Sequence, residues 1–295
     1  MCEAQAVETP RNRKRVLVTG ASCGIGEAFA HWYAEQGFEV VLAARNFTEL
    51  TRVAAALQAR GAITQVIVAD LSEKTGVEDV GARCGLLDAV VLNAGVTHAA
   101  AVGSSNRDQL DALAYLMSAG VVRLCEIVVP PMVQRGSGDV IIVSSIAAFT
   151  PMRKAGPYAA AKSHVTAYAR SLALEVNAKG VRVTAICPGY VHTDLLRRAG
   201  LDHLSRKVPG WMWLDPDDVV GATQRALHRG KTVVVPGLVY RLVLPFLSSR
   251  LAQRVWRRLT RRSQYCARNT VFLIPWRCSG VIDSPCRVDV RQRGQ

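Results

Sequence analysis

Tyr158 and Lys162 stand four residues apart in the stretch GPYAAAKSHVTAYARSLALEV, and Ser145 lies thirteen residues before Tyr158, just past an apolar run at 140–143. If the stretch is helical, the spacing puts a phenol and an ammonium on one face, within reach of a hydroxyl at a strand end. A phenol that titrates near pH 10 exchanges protons poorly at neutral pH unless a nearby cation favours its anion. Lys162 can be that cation. The chemistry indicated is proton transfer at a substrate oxygen, with Ser144 as the competing hydroxyl. The same pair would also serve as an ordinary surface contact, so its meaning depends on the rest of the chain.

Near the N-terminus, a strand-like run at 15–18 leads into Thr19, Gly20, Ala21, Ser22, Cys23, Gly24, Ile25 and Gly26, then into the helix-like EAFAHWYAEQG. A strand, a glycine-rich turn and a helix N-terminus make a phosphate site, because glycines admit close approach and free amides favour the anion. The spacing here is Gly-x-x-x-Gly-x-Gly, not the dinucleotide fingerprint Gly-x-Gly-x-x-Gly.

With TGASCGIG, LNAG at 92–95, Ser145, YAAAK and PGYVHTD at 188–194 following one another in order, the chain resembles the short-chain dehydrogenase/reductase family over about residues 15–240. The resemblance implies a nicotinamide-dependent oxidoreductase. By the same resemblance Asp70 and Leu71 flank the adenine, Asn93, Ala94 and Gly95 support the ribose side, and Pro188, Gly189, Val191 and Thr193 hold the nicotinamide. Asn93 is equally readable as structural.

Apolar runs recur at 16–18, 40–43, 63–68, 89–92, 140–143, 181–186 and 232–235, separated by helical periodicity at 47–60, 110–135 and 158–178. Alternating strands and helices predict βαβ units, and strands without polar alternation predict a parallel sheet covered on both faces. The expected fold is an α/β, doubly wound, three-layer Rossmann fold with a mostly parallel sheet of seven strands. Ligands bind such sheets outside the carboxyl ends of the strands. Thr19 and Gly20, Arg45, Asp70, Asn93, Ser145, and Pro188 with Gly189 each follow one predicted strand and should line one crevice.

A carboxylate after the second strand would bond the adenosine 2′-hydroxyl of NAD and repel a 2′-phosphate. This chain has Arg45 and Asn46 there. A guanidinium binds phosphate through two hydrogen bonds, which favours NADP(H) over NAD(H). Cys23 occupies a loop position where many NADP-using relatives carry a second basic residue, so the clamp is incomplete at that point.

In the reductive direction Tyr158 would donate a proton to the substrate oxygen, Ser145 would polarise it, and Lys162 would lower the tyrosine pKa while contacting the nicotinamide ribose. Relatives add an asparagine that holds a proton-relay water. Aligned on them, AYLMSAGVVRL places Met117 there, and a thioether cannot replace an amide. Ser118 is the nearest polar substitute. This departure leaves open an alternative, an NADP(H)-binding sensor or scaffold with little turnover.

The 295 residues suffice for one α/β domain at 15–240, with an N-terminal extension at 1–14, a basic amphipathic helix expected at 241–262 and a tail at 263–295 expected to lack regular structure. Net charge is +14, but residues 241–295 carry 12 basic against 2 acidic side chains while 16–240 carry 21 against 19. A nearly neutral body argues against a nucleic-acid partner. Scattered cysteines and no paired histidines argue against disulfides or a metal site. Neither a run of about 18 uncharged apolar residues nor an apolar N-terminal leader is present, so a cytoplasmic location is expected.

The segment after Pro188 offers Tyr190, His192, Leu195, Leu196, Trp211, Met212 and Trp213 as substrate wall, joined by His98 and residues 147–153; the composition suits a hydrophobic carbonyl or alcohol. His164 is expected to be exposed or packed. Leu247, Leu251, Val255 and Leu259 run beside Arg250, Arg254, Arg258 and Arg262, a pattern suited either to peripheral contact with an anionic membrane or to packing on the body. By analogy with the family a homo-oligomer is expected.

Overall fold

The computed structural model describes residues 13–97, 99, 101–150, 154–195 and 208–242. The chain divides into two units, Met1–Ala252 and Gln253–Gln295, and the described residues all belong to the first. His98, residues 151–153, Leu196, most of the N-terminal extension, and the basic segment and tail from 243 onward lie outside them.

Seven strands form one parallel sheet: β1 (Arg15–Thr19), β2 (Glu39–Ala44), β3 (Thr64–Val68), β4 (Ala89–Leu92), β5 (Gly138–Val143), β6 (Val181–Ile186) and β9 (Val233–Val234). Their order is β3-β2-β1-β4-β5-β6-β9, and every pairing is parallel. The order reverses between β1 and β4, which opens a crevice at their carboxyl ends. The expected doubly wound sheet is therefore the observed one.

Alternation along β1 explains the three layers. Val16 and Val18 pack with α1 (Gly24–Glu35), α2 (Phe47–Gln58) and α7 (Pro216–His228), whereas Leu17 packs with α3 (Lys74–Arg83), α5 (Gly120–Arg135) and α6 (Gly156–Val176). All three side chains are fully buried. Burying each aliphatic side chain is worth about 1.5–3 kcal/mol, so a strand with two apolar faces is stable only between two helical layers.

Two features are absent from the sequence reading. The helix expected at 110–135 is three pieces: α4 (Arg107–Ala114), a π-helical turn at Tyr115–Ala119, and α5. Composition alone makes Arg107–Arg135 long and apolar enough to cross a membrane, at mean hydropathy 1.8, but Leu124, Val128 and Met132 face the protein core. The second feature is a small parallel pair, β7 (Tyr190–Val191) with β8 (Trp213–Leu214), beside the carboxyl end of β6.

Candidate active site

The glycine loop is shaped by close contacts. Gly20 has φ +64°, and a Cβ there would stand 2.8 Å from the Ala94 Cα; Gly24 has φ +59°, and its Cβ would stand 2.8 Å from Cγ2 of Thr193. At Gly26 a Cβ would come within 2.2 Å of the Gly20 carbonyl oxygen. No side chain but glycine fits these three places. Cys23 caps α1 without a side-chain hydrogen bond, so the protein's own side chain leaves the helix N-terminus to a ligand. The loop is a cradle of the kind that a dinucleotide pyrophosphate requires.

Asn93 ties the loop to β4. Its amide donates to the carbonyls of Thr19 at 3.2 Å and Gly20 at 3.1 Å. Thr19 answers: its hydroxyl accepts from the backbone amides of Asn93 at 3.0 Å and Ala94 at 3.1 Å. Sequence reasoning left Asn93 open between support and structure, and the geometry gives it the structural part. Thr19, expected from sequence to line the crevice, does so as the residue that anchors the Asn93–Ala94 turn.

Around the second strand, Arg45 reaches the Asp70 carboxylate at 3.5 Å, and both are roughly half exposed. Burial works to raise the Asp70 carboxyl, but the Ser72 hydroxyl and amide, with Arg45, outweigh it and hold the pKa below the usual range. Arg45 is thus placed at the crevice edge but already has an anionic neighbour. Arg52, on α2, was not singled out from sequence. Its guanidinium binds Glu27 and Glu49 and lies 3.5 Å from the Ser22 carbonyl oxygen. Leu71 lines a small cavity with Thr19, Leu92 and Ala94.

At the other end of the crevice, the Ser145 hydroxyl lies near the Tyr158 phenol and acts to lower its pKa. The Ser145 oxygen accepts from the Ala147 amide at 3.1 Å. Burial pushes the Tyr158 pKa up, and the Ser145 hydroxyl only partly opposes it, so the phenol is neutral. Lys162 donates from Nζ to the Val143 carbonyl at 2.8 Å, and its nitrogen is 5.9 Å from the centre of the Tyr158 ring. Burial pushes its pKa down to about 8. The expectation that Lys162 depresses the Tyr158 pKa is corrected for the chain by itself: desolvation is the larger influence on the phenol, and the ammonium is turned toward the strand.

Ser144 and Ser118 are both accounted for elsewhere. The Ser144 hydroxyl bonds the Lys162 carbonyl at 3.0 Å and the Thr166 hydroxyl at 2.6 Å, inside the protein. Ser118 donates to the Ala114 carbonyl of its own helix. Met117, 1% exposed, lies in the π-turn and packs with Leu113, Ala161 and Tyr158. Its sulfur would be 3.3 Å from a Cβ at Gly95, so the thioether fills the space beside the LNAG turn.

Pro188 and Gly189 follow β6, and the Pro188 carbonyl accepts from Ile146 at 3.0 Å, next to Ser145. Beyond them Trp213 contacts Tyr190 at 5.7 Å between ring centres and stacks on His192 at 4.8 Å. Trp211 is 67% exposed. Val191 is buried, and Thr193 stands over Gly24. His164 instead lines a groove of about 520 Å³ with Glu78, Arg123 and Ile127, whose walls include none of the residues expected in this crevice. Among the described residues no group of three metal-binding side chains converges.

A parallel doubly wound sheet with a phosphate cradle at its switch point defines a dinucleotide-binding α/β protein. A family model described as short chain dehydrogenase matches residues 14–203. The chain belongs to the short-chain dehydrogenase family of oxidoreductases. "Probable oxidoreductase EphD" of Mycobacterium tuberculosis is 34% identical over 190 residues, 63% of this chain and 32% of that protein, so the chain spans about a third of its length. "Uncharacterized oxidoreductase SSP0419" of Staphylococcus saprophyticus is 32% identical over 235 residues, 78% of this chain and 97% of that protein. A short-chain dehydrogenase from Sphingobium yanoikuyae in complex with NADPH superposes with TM-score 0.72 at 26% identity, covering 87% of this chain and 98% of that one.

Proposed function

We propose that the chain is an NADP(H)-dependent oxidoreductase acting between a hydrophobic carbonyl and the corresponding alcohol through Ser145, Tyr158 and Lys162. The observation that carries this is the buried Lys162 ammonium 5.9 Å from the centre of the Tyr158 ring and bonded to the end of the strand that leads to Ser145, in the crevice that also holds the glycine cradle. Gly20, Ser22, Cys23, Gly24, Ile25 and Gly26 would hold the pyrophosphate, Asp70, Leu71, Ala94 and Gly95 the adenosine half, and Pro188, Gly189, Val191 and Thr193 the nicotinamide. The NADPH-bound relative supports the cofactor class. Arg45 supports the phosphorylated form, with Asp70 as its competitor for a 2′-phosphate.

When bound, the cofactor supplies or accepts the hydride. The chain's own residues manage the proton. Tyr158, neutral because burial raises its pKa, donates to the substrate oxygen in reduction. Ser145, its oxygen fixed by Ala147, hydrogen-bonds the same oxygen as charge develops on it. Lys162 keeps a positive charge below about pH 8 and favours the phenolate left behind. Tyr190, Trp211 and Trp213 supply aromatic surface for an apolar substrate.

A second reading, a cofactor-binding sensor with little turnover, rests on Met117 in place of a relay amide. NADPH consumption over a panel of hydrophobic ketones and aldehydes separates them. Turnover that survives Tyr158→Phe unchanged would sink the mechanism; tight NADPH binding without turnover on any substrate would favour the sensor.

A further inference from the structure

The segment from Pro188 to Tyr190 leaves the main sheet after Ile186 and is held from two sides. On the Ser145 side, Ile146 donates to the Pro188 carbonyl at 3.0 Å. On the far side stands Tyr240, fifty residues later and 5% exposed. Its hydroxyl accepts from the Tyr190 amide at 3.0 Å and donates to the Met212 carbonyl. Its ring lies flat against the loop: a Cβ at Gly189 would stand 2.0 Å from Cζ and 2.3–2.4 Å from both Cε atoms. Cys187 and Val235 complete the apolar side of the ring's pocket.

One side chain therefore joins the loop after β6, the turn before β8 and the helical turn that begins at Leu238. Between Ile146 and Tyr240 the Gly189 peptide is clamped at its two neighbours. Apart from Tyr240, that side of the segment is held by the short β7–β8 pairing, the Tyr190–Trp213 ring contact and the Cys187 amide bonded to the Val234 carbonyl.

We propose that Tyr240 is a positioning residue for the nicotinamide end of the site, setting the Gly189–Tyr190 backbone from behind and, through Met212, the adjoining substrate wall. The proposal rests on the cofactor reading above. It assigns to a residue remote in sequence from the Ser-Tyr-Lys set a role that the adenosine half of the cofactor does not share. Tyr240→Phe removes both hydrogen bonds and keeps the ring over Gly189.

The test uses the full chain and compares two ligands: NADPH, and the same molecule lacking nicotinamide, ADP-ribose 2′-phosphate. Tyr240→Phe is expected to weaken NADPH binding or slow single-turnover hydride transfer about tenfold, the size of one or two lost hydrogen bonds, while fragment affinity stays within about twofold. Gly189→Ala, which presses a methyl into the ring from the loop side, should give the same selective loss. If both ligands weaken equally in both variants, or neither changes, Tyr240 is structural only and the proposal falls. A wild-type chain that binds neither NADPH nor the fragment overturns the cofactor reading itself, and the positioning role with it.

Discussion

The Lys162 ammonium donates to the carbonyl of Val143 at 2.8 Å, two residues before Ser145. The contact fastens α6 to the end of β5 and so sets the height of Tyr158 above the sheet. It also buries the charge, which is why the lysine titrates near the working range of an enzyme.

Removing the phenol isolates the proton step. Tyr158→Phe should lose turnover by about 10²-fold or more, with NADPH affinity changed little, because a general acid acts mainly in the transition state. Steady-state rates beside a fluorescence titration of NADPH would check both halves.

The lysine gives a pH dependence with a definite sign. Its folded pKa, about 8, lies below its ordinary value of 10.5, so the ammonium is lost as pH rises through 8. The kcat/KM for cofactor in the free enzyme should therefore fall above about pH 8. Stability moves the other way: between about 8 and 10.5 the unfolded chain binds the extra proton, so folding strengthens as pH rises through that window. A pH–rate profile and thermal melts across pH 7–10.5 would reveal the opposed trends; a flat profile would remove Lys162 from the mechanism.

Cofactor choice should follow Arg45. Arg45→Asp places a second carboxylate next to Asp70, and the ratio of kcat/KM for NADPH over NADH should drop by on the order of tenfold or more. An unchanged ratio would show that the 2′-position is read elsewhere, with Arg52 the next side chain to vary.

Asn93→Ala should destabilise without touching the chemistry directly. Two loop carbonyls lose their donor, at a cost of about 1–3 kcal/mol. Differential scanning calorimetry would show a lower melting temperature, and NADPH should bind more weakly because the cradle loosens.

Met117→Asn tests the relay. The site is closed by Leu113, Ala161 and Gly95, so an amide there should lower the melting temperature. Turnover should nevertheless rise if proton return limits the wild-type rate, as a solvent isotope effect on both proteins would report.

Much of this molecule is legible in its sequence, because the signals involved are local. Apolar runs such as 89–92 and 181–186 name buried parallel strands through their lack of alternation, and a four-residue spacing places Tyr158 and Lys162 together once the helix is granted. Gly20 and Gly24 announce positive φ because only glycine adopts it cheaply. The π-turn at Tyr115–Ala119 had no such signal: Leu116, Met117 and Ala119 are good helix formers, and Met117 of this turn packs against Leu113 and Ala161, contacts that exist only in the folded chain.

The sequence by itself determined the fold class, the cradle and the set of groups available for proton transfer, since each depends on residue type and short spacing. Tertiary structure alone decided their states. It made Asn93 a brace, turned Ser144 inward to Thr166, drew Lys162 to Val143, and brought Tyr240 across fifty residues to Tyr190. Those relationships join segments far apart in the chain, and the degree of burial that moves the Tyr158 and Lys162 pKa values exists only after the layers have closed around them.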